Sequence, residues 1–190
     1  RTVIGKDVVE ARNIAMQDAL ELDAEYLVFL DDDVLIPPQA LHRMFYLMRH
    51  NPDWDLLTGI VTTKTIQPEP CIFRKDVSGA FWDWKFPDTF PIDACGMAFC
   101  MIRLSTVKEK LTEPWFKWPK GMDEDTYREM GEDIYFCRQL REAGGTLMAD
   151  GGVLCGHLTE DGKVIKLSED DPPIKNADPG AFEGTRVLAG

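Results

Sequence analysis

The sequence predicts an α/β fold, on two observations. Segments with apolar residues at helical spacing alternate with short continuous apolar runs. One of those runs, Tyr26-Leu27-Val28-Phe29-Leu30, passes directly into Asp31-Asp32-Asp33. Such a run fits a strand covered on both faces, although a buried helix segment has the same composition. Open α/β sheets bind ligands outside the carboxyl ends of their strands. Three adjacent carboxylates repel one another, and an oxygen-rich cluster of this kind suits a hard divalent cation. A solvated acidic turn accounts for the triplet equally well.

The chain of 190 residues fits one domain with a sizeable core. A net charge of -12 disfavours nonspecific nucleic-acid binding and attraction to anionic membranes. A small anionic substrate stays compatible, because a bound metal or a local Arg or Lys reverses the field at one site. The five cysteines (Cys71, Cys95, Cys100, Cys137 and Cys155) are scattered and form no CxxC pair. Reduced core thiols of a cytoplasmic protein are the expectation. No apolar run has the length of a bilayer span, and the first residues do not resemble a signal peptide.

Each element has its own local reason. Asp7 and Glu10 have capping-box spacing, and Val8, Ala11, Ile14, Ala15, Ala19 and Leu22 follow at helical spacing. Arg12 and Asn13 lie on the polar flank of that helix, which reads as a solvated face. After the acids, Pro37-Pro38 opens a second helix with Leu41, Met44, Phe45 and Met48 as its core stripe, ended by Asn51-Pro52. Asp55–Thr63 is the next strand, with Gly59 marking a close backbone approach. Residues 64–91 are irregular and rich in Pro and aromatics, including Trp82 and Trp84. Those aromatics serve either as a small core beneath the loop or as platforms for sugar rings. Ala98–Ile102 reads as a buried strand, and Ser105 as the cap of a short helix to Leu111. A second aromatic loop holds Trp115. Gly131-Glu132-Asp133 opens a helix, where acids favour the dipole, and Ala143-Gly144-Gly145 ends it. Thr146–Ala149 and Val153–Cys155 read as short closing strands before Gly156-His157. Residues 160–190 lack apolar periodicity and read as an extended tail, which leaves 1–159 as the folded domain.

Taken together, these motifs resemble a GT-A glycosyltransferase of the family 2 type. The matching residues are Ala11-Arg12-Asn13, then Leu30-Asp31-Asp32-Asp33-Val34 as a DxD motif, then Asp93-Ala94-Cys95-Gly96-Met97-Ala98-Phe99 as an acceptor-side glycine segment. Gly131-Glu132-Asp133-Ile134 follows as an ED motif, and Cys155-Gly156-His157-Leu158 as the terminal His. The resemblance covers residues 7 to about 158 and lacks the strand and helix with which the family begins. It implies a Rossmann-like, mixed but mostly parallel sheet flanked by helices.

It also implies a reaction, the transfer of a hexosyl group from a nucleotide-diphosphate sugar to the hydroxyl of a glycan, lipid or protein, with inversion. Asp33 would ligate Mn²⁺ or Mg²⁺ directly, with His157 completing the sphere; Asp31 would contact the metal through water or the donor ribose. Arg12, Asn13, Asp31 and Asp32 would bind the donor. Asp133, or Glu132, would be the general base. Gly96, Met97, Trp82, Trp84 and Trp115 would line the sugar and acceptor side. A satisfied His at a strand end is the alternative for His157, but its place inside the matching motif, in a chain with three His, favours the ligand. Two further readings compete: a shortened or degenerate domain that binds nucleotide or sugar without turnover, and a haloacid dehalogenase-like phosphatase. The phosphatase motif DxDx[TV] fails at Leu35. A missing first strand would leave a sheet edge that a second copy of the chain could cover.

Overall fold

The computed structural model describes residues 6–65, 67–74, 79–118 and 131–167. Its elements in order are α1 (Val8–Glu21), β1 (Tyr26–Leu30), β2 (Val34–Leu35), α2 (Ala40–His50), β3 (Leu56–Ile60), β4 (Ile72–Phe73), β5 (Thr89–Pro91), β6 (Ala94–Cys95) and β7 (Phe99–Arg103). They continue with α3 (Leu104–Lys110), α4 (Glu132–Glu142), β8 (Leu147–Leu154), β9 (Gly156–Leu158) and β10 (Val164–Ile165).

The architecture is mixed α/β. A five-stranded sheet runs in the order β1-β7-β3-β8-β5. The mostly parallel expectation needs correction: β7 pairs antiparallel with both β1 and β3, β5 pairs antiparallel with β8, and among the described residues only β3–β8 is a parallel pair. The reason is positional. β1, β3 and β8 do point the same way, but the reversed strand β7 is wedged between the first two. Apolar composition reports burial on both faces and carries no information on strand direction.

Side chains alternate along each strand, and that alternation builds two cores. Leu56, Cys100, Ile102, Leu147 and Ala149 face the layer of α1, α3 and α4, where Met16, Val107, Phe136 and Leu140 are buried. Leu57, Phe99, Met101 and Met148 face α2, where Ala40, Met44 and Met48 are buried. A sheet covered on both faces is why these strands read as unbroken apolar runs.

Local expectations are met in part. The Asp7 side chain accepts from the Glu10 backbone N–H at 3.0 Å and caps α1. In α2, Met44 and Met48 are buried, whereas Leu41 and Phe45 are exposed, so the core stripe is Ala40-Met44-Met48. α2 begins at Ala40, beyond the two prolines. α3 begins at Leu104 without a side-chain cap, so Ser105 lies inside the helix. The two closing strands merge into the single strand β8. Its pairing with β3 jumps from Gly59↔Asp150 to Ile60↔Leu154, so Gly151-Gly152-Val153 bulge out. A Cβ on Gly59 would lie 2.9 Å from Val153 Cγ1 and 3.0 Å from Phe99 Cδ1, the close approach the sequence indicates.

The folded part extends past residue 159. β10 pairs with β9, and Leu167 is buried. The remainder of the expected tail, 168–190, lies outside the described residues.

Candidate functional site

The carboxyl ends of the co-directional strands β1, β3 and β8 share one rim of the sheet, and the acidic triplet sits there. Asp31 N–H donates to the Ala98 carbonyl at 2.9 Å, which extends the β1–β7 ladder by one bond. Val34 N–H then donates to the Asp31 carbonyl at 3.2 Å, so the three acids occupy a closed turn. β2 leaves that turn and pairs with β9, with Val34 opposite His157. Leu158 N–H donates to the Asp33 carbonyl at 2.8 Å. A short sheet in the order β10-β9-β2 therefore seats His157 beside Asp33. Gly156 is required there, because a Cβ would lie 2.6 Å from Val164 Cγ1.

His157 Nε2 is 3.4 Å from Asp33 Oδ1. Its other nitrogen, Nδ1, is 2.6 Å from the Thr62 carbonyl, an oxygen that only accepts. Nδ1 therefore carries a proton and donates to that carbonyl, which leaves Nε2 as the ring atom facing Asp33. The second oxygen of Asp33, Oδ2, receives the Lys64 ammonium. That bond, aided by the charge of His157, holds the Asp33 carboxyl below its ordinary range. Asp31 behaves oppositely. Burial raises its pKa against the pull of Arg12, and the charges of Asp33 and Asp32 raise it further. Asp32 is exposed.

Arg12 connects this rim to α4. It is a buried residue, 8% exposed, rather than part of a solvated face. One nitrogen pairs with Glu132 Oε1, and the other lies 3.8 Å from Asp31 Oδ1. Beside it, Asn13 grips the second aromatic loop: its amide N–H donates to the Phe116 carbonyl at 2.8 Å, and its oxygen accepts from Phe116 N–H at 3.1 Å. Phe116 in turn stacks on Phe136 of α4 at 4.7 Å and meets Phe29 of β1 edge-on at 5.6 Å. The Asn13 side chain is thus committed to backbone, where donor binding was expected.

Asp133 is the most strongly perturbed acid of the site. Burial and the neighbouring Glu132 push its pKa up to about 6, against the Ile134 N–H, which donates at 2.7 Å, and the charge of Arg12. Gly96 lies beside it: a Cβ there would stand in ordinary contact, 3.6 Å from Asp133 Oδ2 and 3.4 Å from Cys71 Cβ. The acceptor-side glycine and the candidate base are therefore brought together.

Other expected wall residues are placed differently. Trp115 is buried in the core with Phe116, and Met97 is 1% exposed with its sulfur 3.3 Å from Cys100 Sγ. Their side chains form core instead of an open sugar wall, because apolar area of this size gains most when fully buried. Trp82 and Trp84 are half-buried against the same core. Trp84 stacks on Phe90 at 5.8 Å and packs beside the Gly151 bulge. Arg103 bonds the Trp54 and Met48 carbonyls and the Tyr26 hydroxyl, so it closes the end of α2.

Two residues escaped the sequence reading. Asp150, fully buried in β8, takes two bonds from Arg43 of α2, at 2.6 and 2.9 Å. A charge inside an apolar strand, followed by Gly-Gly, is the signal that would have revealed it. Lys64 has no comparable signal, since its sequence surroundings are those of any polar loop.

Among the described residues, no three His, Cys, Asp or Glu side chains converge closely enough to form a metal cage by themselves. No helix among them is long and apolar enough to cross a membrane. No protein-family model matches the chain, and no curated protein matches it. Among solved structures it is similar to A197 from STIV, with 23% identity and a TM-score of 0.63 over 87% of this chain and 73% of that one. At that identity the likeness is one of fold.

Proposed function

We propose that the chain is a metal-dependent glycosyltransferase of the GT-A, family 2-like type, moving a sugar from a nucleotide-diphosphate donor to an acceptor hydroxyl with inversion. The observation that carries this reading is the pairing of Asp33 Oδ1 with His157 Nε2 at 3.4 Å, with Nδ1 tied off by a backbone carbonyl. Two ligands cis to each other at ~2.1 Å from one ion lie about 3 Å apart, so the pair is close to a coordinating geometry. Mg²⁺-like ions keep waters and substrate phosphates instead of a full protein cage, which suits a site with two or three protein donors. Asp33 and His157, with Asp31 alongside, would hold such an ion, which would supply Lewis-acid neutralisation of the diphosphate leaving group.

The chain's own residues account for the remainder. Arg12 holds Asp31 and Glu132 in fixed positions through its two guanidinium nitrogens. Asp133 accepts the proton of the attacking hydroxyl, and a carboxylate whose pKa is pushed up to about 6 is matched to that task near neutral pH. Such a base contributes about 10²–10⁴-fold. Gly96 lies beside Asp133, on the side where the acceptor would approach.

The test is a thermal-shift screen of nucleoside diphosphates with and without Mn²⁺, followed by donor hydrolysis and transfer assays. A Mn²⁺-dependent shift and turnover, both lost in Asp33→Ala, support the reading. Binding without turnover for any acceptor points to a binding module, and nucleotide-independent phosphatase activity refutes both. β1 is an end strand of its sheet among the described residues, and a second copy covering that edge is the proposed route to an oligomer.

A further inference from the structure

The ammonium of Lys64 lies on Oδ2 of Asp33 while His157 faces Oδ1, so each oxygen of this carboxylate has its own nitrogen neighbour. Lys64 belongs to a turn that is tied at several points. Thr63 N–H donates to the Glu69 carbonyl at 2.8 Å, Glu69 N–H donates to Thr63 Oγ1 at 3.0 Å, and Cys71 N–H donates to the Val61 carbonyl at 2.8 Å. The Thr62 carbonyl, two residues before Lys64, is the one that orients His157. A single segment thus orients one candidate metal ligand and supplies the charge neutralising the other.

An ammonium on Oδ2 of Asp33 and a divalent cation on Oδ1 would repel each other across the one carboxylate. The Lys64 and Asp33 side chains are 37% and 35% exposed, so solvent screens their pair and its displacement costs little. After displacement, the turn still keeps the ammonium at the mouth of the site. A diphosphate bound to the divalent ion would bring its negative charge to the same mouth. Lysine binds phosphate as a flexible point charge and does not need the planar fork of arginine.

We propose that Lys64 is a diphosphate-binding residue, paired with Asp33 in the free protein and transferred to the phosphate oxygens when metal and donor enter. This rests on the glycosyltransferase reading of the same rim. Lys64 then serves two purposes: it keeps the acidic turn neutralised in the free protein, and it adds positive charge where the leaving group develops negative charge.

The experiment compares wild type, Lys64→Met and Lys64→Arg, with Asp33→Ala as reference. Mn²⁺ binding is followed by electron paramagnetic resonance, and binding of the Mn²⁺–pyrophosphate complex by calorimetry. Lys64→Met is expected to bind Mn²⁺ alone about two- to fivefold more tightly, as its competitor is gone. It is expected to bind Mn²⁺–pyrophosphate at least about tenfold more weakly, with most of the loss restored in Lys64→Arg. Unchanged Mn²⁺–pyrophosphate affinity in Lys64→Met, with wild-type Mn²⁺ binding intact, overturns the role of Lys64 alone. Wild-type protein that binds Mn²⁺ no better than Asp33→Ala overturns the metal reading of the rim, and this proposal with it.

Discussion

Arg12 of α1 and Glu132 of α4 form an ion pair in which each side chain is only 9% exposed. The same guanidinium reaches to 3.8 Å from Asp31. Two acidic motifs far apart in sequence therefore share one cation, and three consequences are measurable at or near it.

The first concerns stability. Removing one partner of a buried pair leaves an uncompensated charge, which costs about 3–5 kcal/mol. Arg12→Met and Glu132→Gln should each lower the urea midpoint strongly. The double variant should recover much of the loss, because its burial is then apolar or neutral on both sides. Additive losses would show that the two side chains act independently.

The second concerns pH. The folded protein raises the pKa of Asp133 to about 6, so between the ordinary carboxylate range and about 6 the native state holds a proton that the unfolded chain releases. Asp133 therefore costs the fold increasing free energy as pH rises through that window, reaching roughly 3 kcal/mol above it. Asp133→Asn should be more stable than wild type at pH 7.5 and about equal at pH 4. Catalysis has the opposite sign, since the base works only as the carboxylate. The rate at subsaturating donor should rise with pH to a plateau with a midpoint near 6, and Asp133→Asn should lose that rise. A flat pH profile in the wild type would remove Asp133 from the base position.

The third concerns the metal ligands. His157→Ala takes away the Nε2 donor and leaves the Thr62 carbonyl without its N–H. Mn²⁺ affinity should fall by about 10–100-fold, the range associated with disturbing such a histidine and its support. Circular dichroism should remain native, since β9 is held by its backbone ladder to β2 and β10.

Away from the rim, Arg43 and Asp150 give a purely structural prediction. Arg43→Met leaves the fully buried Asp150 carboxylate with the Gly152 N–H as its remaining described donor, at 2.9 Å. A loss of about 3–5 kcal/mol in denaturant unfolding is expected. Gly152→Ala should destabilise as well, because its Cβ would stand 2.9 Å from Arg43 Nη2.

Much of the fold is readable from local chemistry. The strand Tyr26–Leu30, the Asp7 cap and the helix opening at Glu132 are where periodicity, capping and turn residues place them. The failures occur where local pattern is silent. Leu41 and Phe45 share a helical stripe with Met44 and Met48, yet the sheet covers only part of that stripe. Trp115 has the look of a loop platform but drops into the core beside Phe116.

The sequence by itself determines which side chains bear chemistry: the triplet at Asp31–Asp33, the pair Glu132-Asp133, and His157 after a strand. Residue type and local spacing suffice for that. The tertiary structure decides their company. It sets β7 against β1 and β3, buries Arg12 between Asp31 and Glu132, turns Asn13 to Phe116, and brings Lys64 to Asp33. These pairings join segments that local propensity cannot relate. They exist because a sheet buried on both faces fixes which strand ends meet at one rim.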